Sequence, residues 1–72
     1  MKRTRIDKDM LKRYMEWQNL TQASLADRAG VSRPHIHRIL DGESFNLRLE
    51  TVDRIANAVG VDTFALLKRV EE

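Results

Sequence analysis

The 72-residue sequence has no cysteine, and its single proline is Pro34. Without cysteine, neither a disulfide nor a cysteine-ligated zinc ion can hold the fold, so the chain must depend on the packing of its secondary structure. A chain of this length buries only about 60% of the surface that it exposes when unfolded, which leaves room for one small core. The absence of cysteine also fits a reducing compartment.

Long apolar runs are absent too. No segment approaches the ~18 apolar residues of a membrane-spanning helix, and the basic start is not followed by the apolar stretch of a secretory signal. Linkers, internal repeats and low-complexity segments are also missing. We therefore expect a soluble, cytoplasmic protein with one domain over residues 1–72, in which residues 1–5 form a flexible basic arm.

Charge of one sign does not dominate, because 13 Lys and Arg against 11 Asp and Glu give a formal net charge of +2. The basic residues are nevertheless clustered. Residues 1–14 carry six basic side chains and two acidic ones, and residues 32–38 carry two arginines and two histidines without an acid. Two basic patches on a nearly neutral chain indicate that positive charge is concentrated on a surface for nucleic acid, although the first patch alone serves solubility equally well.

Apolar residues recur at helical spacing along the chain, and no segment alternates with the period of two that strands show. This pattern predicts an all-α fold with five helices. The first covers about residues 7–18, the second follows Thr21 and ends at Gly30, and the third follows Ser32 and ends at Gly42. The fourth carries Leu49, Val52, Ile55, Ala56 and Val59 and ends at Gly60, and the fifth begins at Asp62 and continues through Phe64, Leu67 and Val70.

The second and third helices carry the clearest local signals. Thr21 and Ser32 each precede a periodic segment, and their hydroxyls can accept hydrogen bonds from free amides of the first turn. Gly30 permits the left-handed backbone that ends a helix, and Pro34 falls in a first turn, where a missing N–H costs little. Two short helices joined at a glycine corner are a helix-turn-helix.

The third helix has one apolar side, formed by Ile36, Ile39 and Leu40, and a polar side opposite. An α-helix fits the major groove of DNA, and its N-terminal residues reach the base edges. We expect Arg33 and Arg38 to read bases, since a guanidinium can bind guanine O6 and N7 together. His37 is an adjustable third contact, and Pro34 can offer only an apolar contact, for instance to a thymine methyl.

Contacts to DNA phosphates are expected on both sides of that helix. Gln22 lies in the first turn of the second helix, where free amides and the helix dipole favour an anion. The other predicted phosphate contacts are Thr21, Ser32 and His35, together with Ser44, Asn46 and Arg48 from the loop after the third helix. Such contacts position a protein without reading sequence.

Residues 11–70 resemble the lambda-repressor/Cro-like helix-turn-helix family, often called XRE-type. The matching pieces are Thr21-Gln22-x-x-Leu25-Ala26, Ala29-Gly30-Val31-Ser32, Ile36-x-x-Ile39, Asp41-Gly42 and Ile55-Ala56-x-x-Val59-Gly60-Val61. The resemblance implies a compact five-helix bundle, a recognition helix over residues 32–40 and a dimer on a two-fold related operator. It also implies base contacts from Arg33, Pro34 and Arg38 and a phosphate contact from Gln22, which periodicity reached separately.

Two departures from the family pattern matter. Members often pair an arginine of the first helix with a glutamate at the end of the recognition helix, where this chain has Met15 and Leu40. An apolar pair can replace an ion pair at little cost, so we expect Leu40 to be buried. The loop has Asp41 and Glu43 where members use lysines, which shifts phosphate binding toward the N-terminal arm. The arm residues are Lys2, Arg3 and Arg5.

Apolar residues at two places in the sequence could either pack in the core or contact a partner. The last helix has more apolar positions than one inward stripe needs, and we favour a homodimer interface over simple core closure. The interface residues are Phe64, Leu66, Leu67 and Val70. Trp17 is expected to pack with the first helix, although its place at the helix end would allow a partner contact if it were exposed.

Other chemistry is not indicated. His35 and His37 are two positions apart on a helix and diverge by about 200°, so they do not share a metal ion. No catalytic triad and no glycine-rich phosphate loop is present, so we expect no enzyme activity, no cofactor and no small-molecule ligand. The predicted function is sequence-specific binding of double-stranded DNA by a dimeric repressor. The alternatives are an antitoxin or restriction–modification controller with the same fold, and a protein-interaction module without an operator.

Overall fold

The computed structural model describes residues 5–43 and 47–68. Its elements in chain order are β1 (Arg5–Ile6), α1 (Lys8–Trp17), α2 (Gln22–Ala29), α3 (Arg33–Leu40), α4 (Leu49–Val59), α5 (Thr63–Leu66) and β2 (Leu67–Lys68). The all-α, five-helix prediction is confirmed, and one short antiparallel strand pair joins the two ends of the described chain.

The first three helices begin where a side-chain oxygen replaces a missing carbonyl partner. The backbone N–H of Met10 donates to Asp7 at 3.3 Å, that of Ser24 donates to Thr21 at 3.1 Å, and that of His35 donates to Ser32 at 3.3 Å. Both caps predicted for the helix-turn-helix are therefore present. Gly30 closes α2 with φ 67°, a left-handed conformation that turns the chain toward α3.

The core collects apolar side chains from all five helices and from β1. Its fully buried large members are Leu11, Leu25, Ile36, Val52, Ile55, Val59 and Leu66. α2 packs against both α3 and α4, and α1 packs against α3 and α5. Met15 and Leu40 are both buried, as expected of an apolar pair that takes the place of an ion pair.

The last helix is shorter than predicted. α5 ends at Leu66, and Leu67 adopts an extended backbone in β2, where it pairs with Ile6 of β1. The backbone N–H of Asp7 donates to the Leu66 carbonyl at 2.7 Å and extends this connection. The prediction that residue 5 lies in a flexible arm also differs from the structure, because Arg5 pairs with Lys68 and the neighbouring Ile6 is buried.

Two apolar side chains lie outside the core, contrary to prediction. Trp17 is 84% exposed because it lies about 140° around α1 from the midpoint of Leu11 and Met15, which face the interior. Leu49 is 59% exposed because it occupies the first turn of α4 at the edge of the buried stripe. The spacing of both residues is helical, but the buried stripes are narrower than the apolar ones.

Candidate nucleic-acid interface

α3 presents a basic face to solvent and an apolar face to the core. Its apolar residues Ile36, Ile39 and Leu40 are buried against the other helices. All four residues predicted to contact bases are exposed: Arg33, Pro34, His37 and Arg38. The helix is therefore anchored on one side and presents two guanidinium groups and an imidazole to solvent on the other.

The start of α3 is set by Ser32 and Pro34. Ser32 has an extended backbone and caps the first turn, and Pro34 occupies an early position where no helical N–H bond is needed. Because the helix begins at Arg33, that side chain projects from the leading end. Arg38 lies on the exposed face, more than a turn further along.

His37 has an acidic neighbour one turn later. Its Nε2 lies 3.1 Å from an Asp41 carboxylate oxygen, and each side chain is about half exposed or more. The carboxylate can orient the imidazole, and it adds a negative charge beside the basic face. His35 lies elsewhere, in a cleft toward α4, so the structure separates the two histidines as their spacing predicted.

The start of α2 supplies a second exposed position. The Thr21 hydroxyl accepts from the Ser24 backbone N–H and donates to the Ser24 hydroxyl at 3.0 Å, so its hydrogen-bonding capacity is largely used within the protein. Gln22 is exposed in the first helical position. An amide at that place can add a donor to the free backbone amides of the helix start.

An open cleft of about 320 Å³ separates the start of α3 from the start of α4. Three residues predicted as phosphate contacts meet here, namely Ser32, His35 and Arg48. Thr51 and Arg54 of α4 also line the cleft, and sequence reasoning missed both. The one signal for Arg54 was its i, i+4 spacing from Glu50, which is typical of an ordinary ion pair on a helix surface. Thr51 had no such signal.

The Arg54 side chain connects α4 with the corner of the helix-turn-helix. Its Nη2 lies 2.8 Å from a Glu50 carboxylate oxygen, and its Nη1 would lie 3.9 Å from a Cβ placed on Gly30. Both charged side chains are more than half exposed. The guanidinium therefore lies at the mouth of the cleft, next to the turn that leads into α3.

The predicted dimer interface is wrong for Leu66. This side chain is fully buried between the helices, so it cannot contact a partner directly. Leu67 is half-buried against the core, whereas Phe64 is 84% exposed. Several other predicted residues lie outside the described part of the chain: Lys2, Arg3, Ser44, Asn46 and Val70.

Two further observations concern residues 5–43 and 47–68 alone. Within these ranges, no group of three or more histidine, aspartate or glutamate side chains is arranged to hold a metal ion. No helix in the same ranges has the length and apolar character needed to cross a membrane.

The chain matches a protein family model but no curated protein. A family model described as a helix-turn-helix domain matches residues 9–67, which include α2, α3 and most of the core. The search of curated proteins finds no match.

Solved structures of two regulator-like proteins are similar to this chain. The restriction-modification controller protein C.AhdI from Aeromonas hydrophila has a TM-score of 0.74 and 21% identity, covering 81% of this chain and 86% of that one. The hypothetical transcription factor NHTF from Neisseria has a TM-score of 0.78 and 21% identity, covering 86% and 70%. At this level of identity the likeness shows the fold.

A third similar structure is that of a much larger protein. Hydroxyethylphosphonate dioxygenase matches with a TM-score of 0.78 and 25% identity over 94% of this chain. The chain spans only 14% of the length of that enzyme. The shared part is therefore a small helical domain.

Proposed function

Because the chain belongs to the helix-turn-helix domain family, we propose that it recognises specific double-stranded DNA sequences as a small transcriptional regulator. The observation that carries the proposal is the division of α3 into a buried apolar face and an exposed face with Arg33, His37 and Arg38. A helix with a firmly packed back and basic donors in front fits the major groove. In this proposal the protein acts by binding DNA and catalyses no reaction.

Base reading falls to the exposed face of α3. Arg33 at the leading end and Arg38 further along have the donors to bind guanine, each contact adding about 1–3 kcal/mol of discrimination. His37, held beside Asp41, is the adjustable third reader. Pro34 contributes at most an apolar contact to a thymine methyl.

Phosphate contacts would hold α3 in its register. Gln22 and the first-turn amides of α2 are suited to one strand, since an anion is favoured at a helix start. Ser32, His35 and Arg48 line the cleft on the other side of the recognition helix. The basic residues of the N-terminal arm, Lys2 and Arg3, are proposed to add contacts to the backbone or the minor groove.

We propose that the active form is a homodimer that represses transcription by occupying a promoter. Two-fold dimers place their recognition helices about one DNA turn apart, which matches a palindromic operator. Phe64, 84% exposed on α5, supports an interface there, with the half-buried Leu67 beside it. Steric exclusion of polymerase needs no surface beyond the one that binds DNA.

A second candidate is the controller of a restriction–modification system. The likeness to C.AhdI, of which this chain covers 86%, favours it over the antitoxin role. The two candidates share the same DNA-binding mechanism and differ in the genes they regulate. Methyltransferase and endonuclease genes next to the coding sequence, under a promoter that carries the selected operator, would identify the controller.

The test is selection of bound duplexes from a random DNA pool at about 150 mM salt. We expect enrichment of a palindrome with half-sites about 10 base pairs apart, which would identify a dimeric regulator and give its operator. An Arg38→Ala variant run in parallel should lose the preference at one position of each half-site. No enrichment, with binding that disappears as salt rises, would leave only nonspecific electrostatics and favour a protein-interaction module.

A further inference from the structure

We propose that the cleft between α3 and α4 binds one phosphate of the DNA backbone, and that Arg54 changes its partner from Glu50 to this phosphate when DNA binds. The proposal rests on the DNA binding argued above and extends it to a residue that neither the helix pattern nor the family resemblance indicated. Four properties of the cleft support it: its place, its charge, its polarity and the weak hold on Arg54.

The cleft lies beside the N-terminal end of the proposed recognition helix, α3. Ser32 and His35 form one wall, and they belong to the cap and first turn of α3. Arg48, Thr51 and Arg54 form the other wall, from the cap and first turns of α4. When the leading end of α3 enters the major groove, the adjacent cleft must face the sugar–phosphate strand at the edge of that groove.

The charge of the cleft suits a phosphodiester. Its lining includes two arginines and one acid, and the acid is already paired with Arg54 at 2.8 Å. The remaining polar groups are the Ser32 hydroxyl, the His35 imidazole and the Thr51 hydroxyl. Only Gly30 and Val31 in the lining lack a polar side chain, so the cleft has little to offer an apolar ligand.

Arg54 is held loosely enough to move. Its side chain is 54% exposed and that of Glu50 is 70% exposed, and ion pairs between such groups contribute little to stability. Arg54 donates to Glu50 through Nη2, whereas a phosphate in the cleft can accept two parallel N–H bonds from the guanidinium. The guanidinium already lies near Gly30, at the mouth of the cleft.

The same pairing gives Glu50 a role. Its carboxylate keeps Arg54 in place in the free protein, but it also adds a negative charge to a site for a negative ligand. Removing that charge should strengthen binding to any duplex, because phosphate contacts do not depend on sequence. Glu50 thus limits the affinity for DNA, while Arg54 supplies a contact.

The experiment measures affinity against salt concentration for the full chain on a selected duplex and on a random duplex. Arg54→Gln should weaken binding to both by about tenfold, as expected for a lost hydrogen bond to a charged group. It should also reduce the slope of log K against log salt by about 0.9, the value for one phosphate. Glu50→Gln should strengthen binding by up to about fivefold, the scale of one exposed charge interaction.

Arg28→Gln is the matched control, because it removes the same charge from an exposed position in the last turn of α2, outside the cleft and outside both basic segments, residues 1–14 and 32–38. Its salt slope should equal that of the unmodified chain. Thermal unfolding of each variant, expected within a few degrees of the parent, separates a lost contact from a lost fold. Equal slopes for Arg54→Gln and Arg28→Gln, or weaker binding by Glu50→Gln, would overturn the proposal.

Neutral methylphosphonate linkages, placed one at a time along the selected duplex, identify the phosphate. One linkage should weaken binding of the unmodified chain clearly more than it weakens binding of Arg54→Gln, in which the other side chains of the cleft still meet the phosphate. Loss of sequence preference with the Arg54 effect intact on random duplex would defeat the regulator proposal and retain this one. A chain that binds no duplex even at low salt would defeat both.

Discussion

Lys8 at the start of α1 lies against Gly42, just beyond the end of α3. A Cβ on Gly42 would stand 3.1 Å from the Lys8 Nζ, and the backbone there has φ 76°. Gly42→Ala should therefore lower the free energy of unfolding by about 1–2 kcal/mol, the cost of a left-handed residue with a side chain. Urea unfolding followed by circular dichroism measures the loss.

Gly60→Ala provides the matched control for that variant. Gly60 has φ 75°, and no described atom outside its chain neighbours lies within 4 Å of its ideal Cβ position. Gly60→Ala should show the effect of backbone strain alone. Any larger loss of stability in Gly42→Ala then measures the contact with Lys8. If Lys8→Ala does not remove that difference, the contact is not its cause. Unchanged stability in both glycine variants would contradict the strain argument itself.

The exposed Arg38 should contribute to base discrimination. Arg38→Ala is expected to relax the preference at one base pair of each half-site and to lower specific affinity by about 1–3 kcal/mol. Nonspecific affinity should fall much less. Competition of operator variants against random duplex measures the two separately. Equal losses on both kinds of DNA would assign Arg38 to the phosphate backbone.

Unlike Arg38, Gln22 should contribute to affinity for every duplex and not to base preference. Gln22→Ala removes one donor at the start of α2, so it should weaken binding to all duplexes by a similar factor. Thr21→Ala is a useful comparison, because the Thr21 hydroxyl caps α2. It should cost about 1 kcal/mol of folding stability, which thermal unfolding detects and which Gln22→Ala should not cost. A change of base preference in Gln22→Ala would be inconsistent with a phosphate contact.

Local chemistry explains which parts of the fold could be predicted. Thr21 and Ser32 accept the amides they were expected to accept, and Gly30 ends α2 with a left-handed backbone. Each of these features depends on a few neighbouring residues. The pairing of Ile6 with Leu67 does not, because it joins two segments from opposite ends of the chain. The sequence therefore gave no sign that α5 would stop at Leu66.

In the candidate site, too, the local features could be predicted and those that depend on tertiary packing could not. A spacing of about 100° per residue correctly separates the exposed Arg38 from the buried Ile39 on α3. Arg54 joins the cleft through the packing of α4 against α2, which no local pattern encodes. The prediction that Trp17 packs with the first helix failed for a related reason. Its spacing along α1 is helical, but at the end of that helix the side chain stays 84% exposed.

The homodimer interface that we propose can be tested by comparing two aromatic side chains with the same exposure. Phe64 on α5 and Trp17 at the end of α1 are each 84% exposed. Sedimentation equilibrium should show that Phe64→Ser shifts the chain toward monomer, because burying an aromatic side chain contributes about 1.5–3 kcal/mol. Trp17→Ser, which removes a similar amount of exposed apolar surface, should leave the association unchanged. The reverse result would place the interface on α1, and recognition helices related by that axis would then have a different half-site spacing.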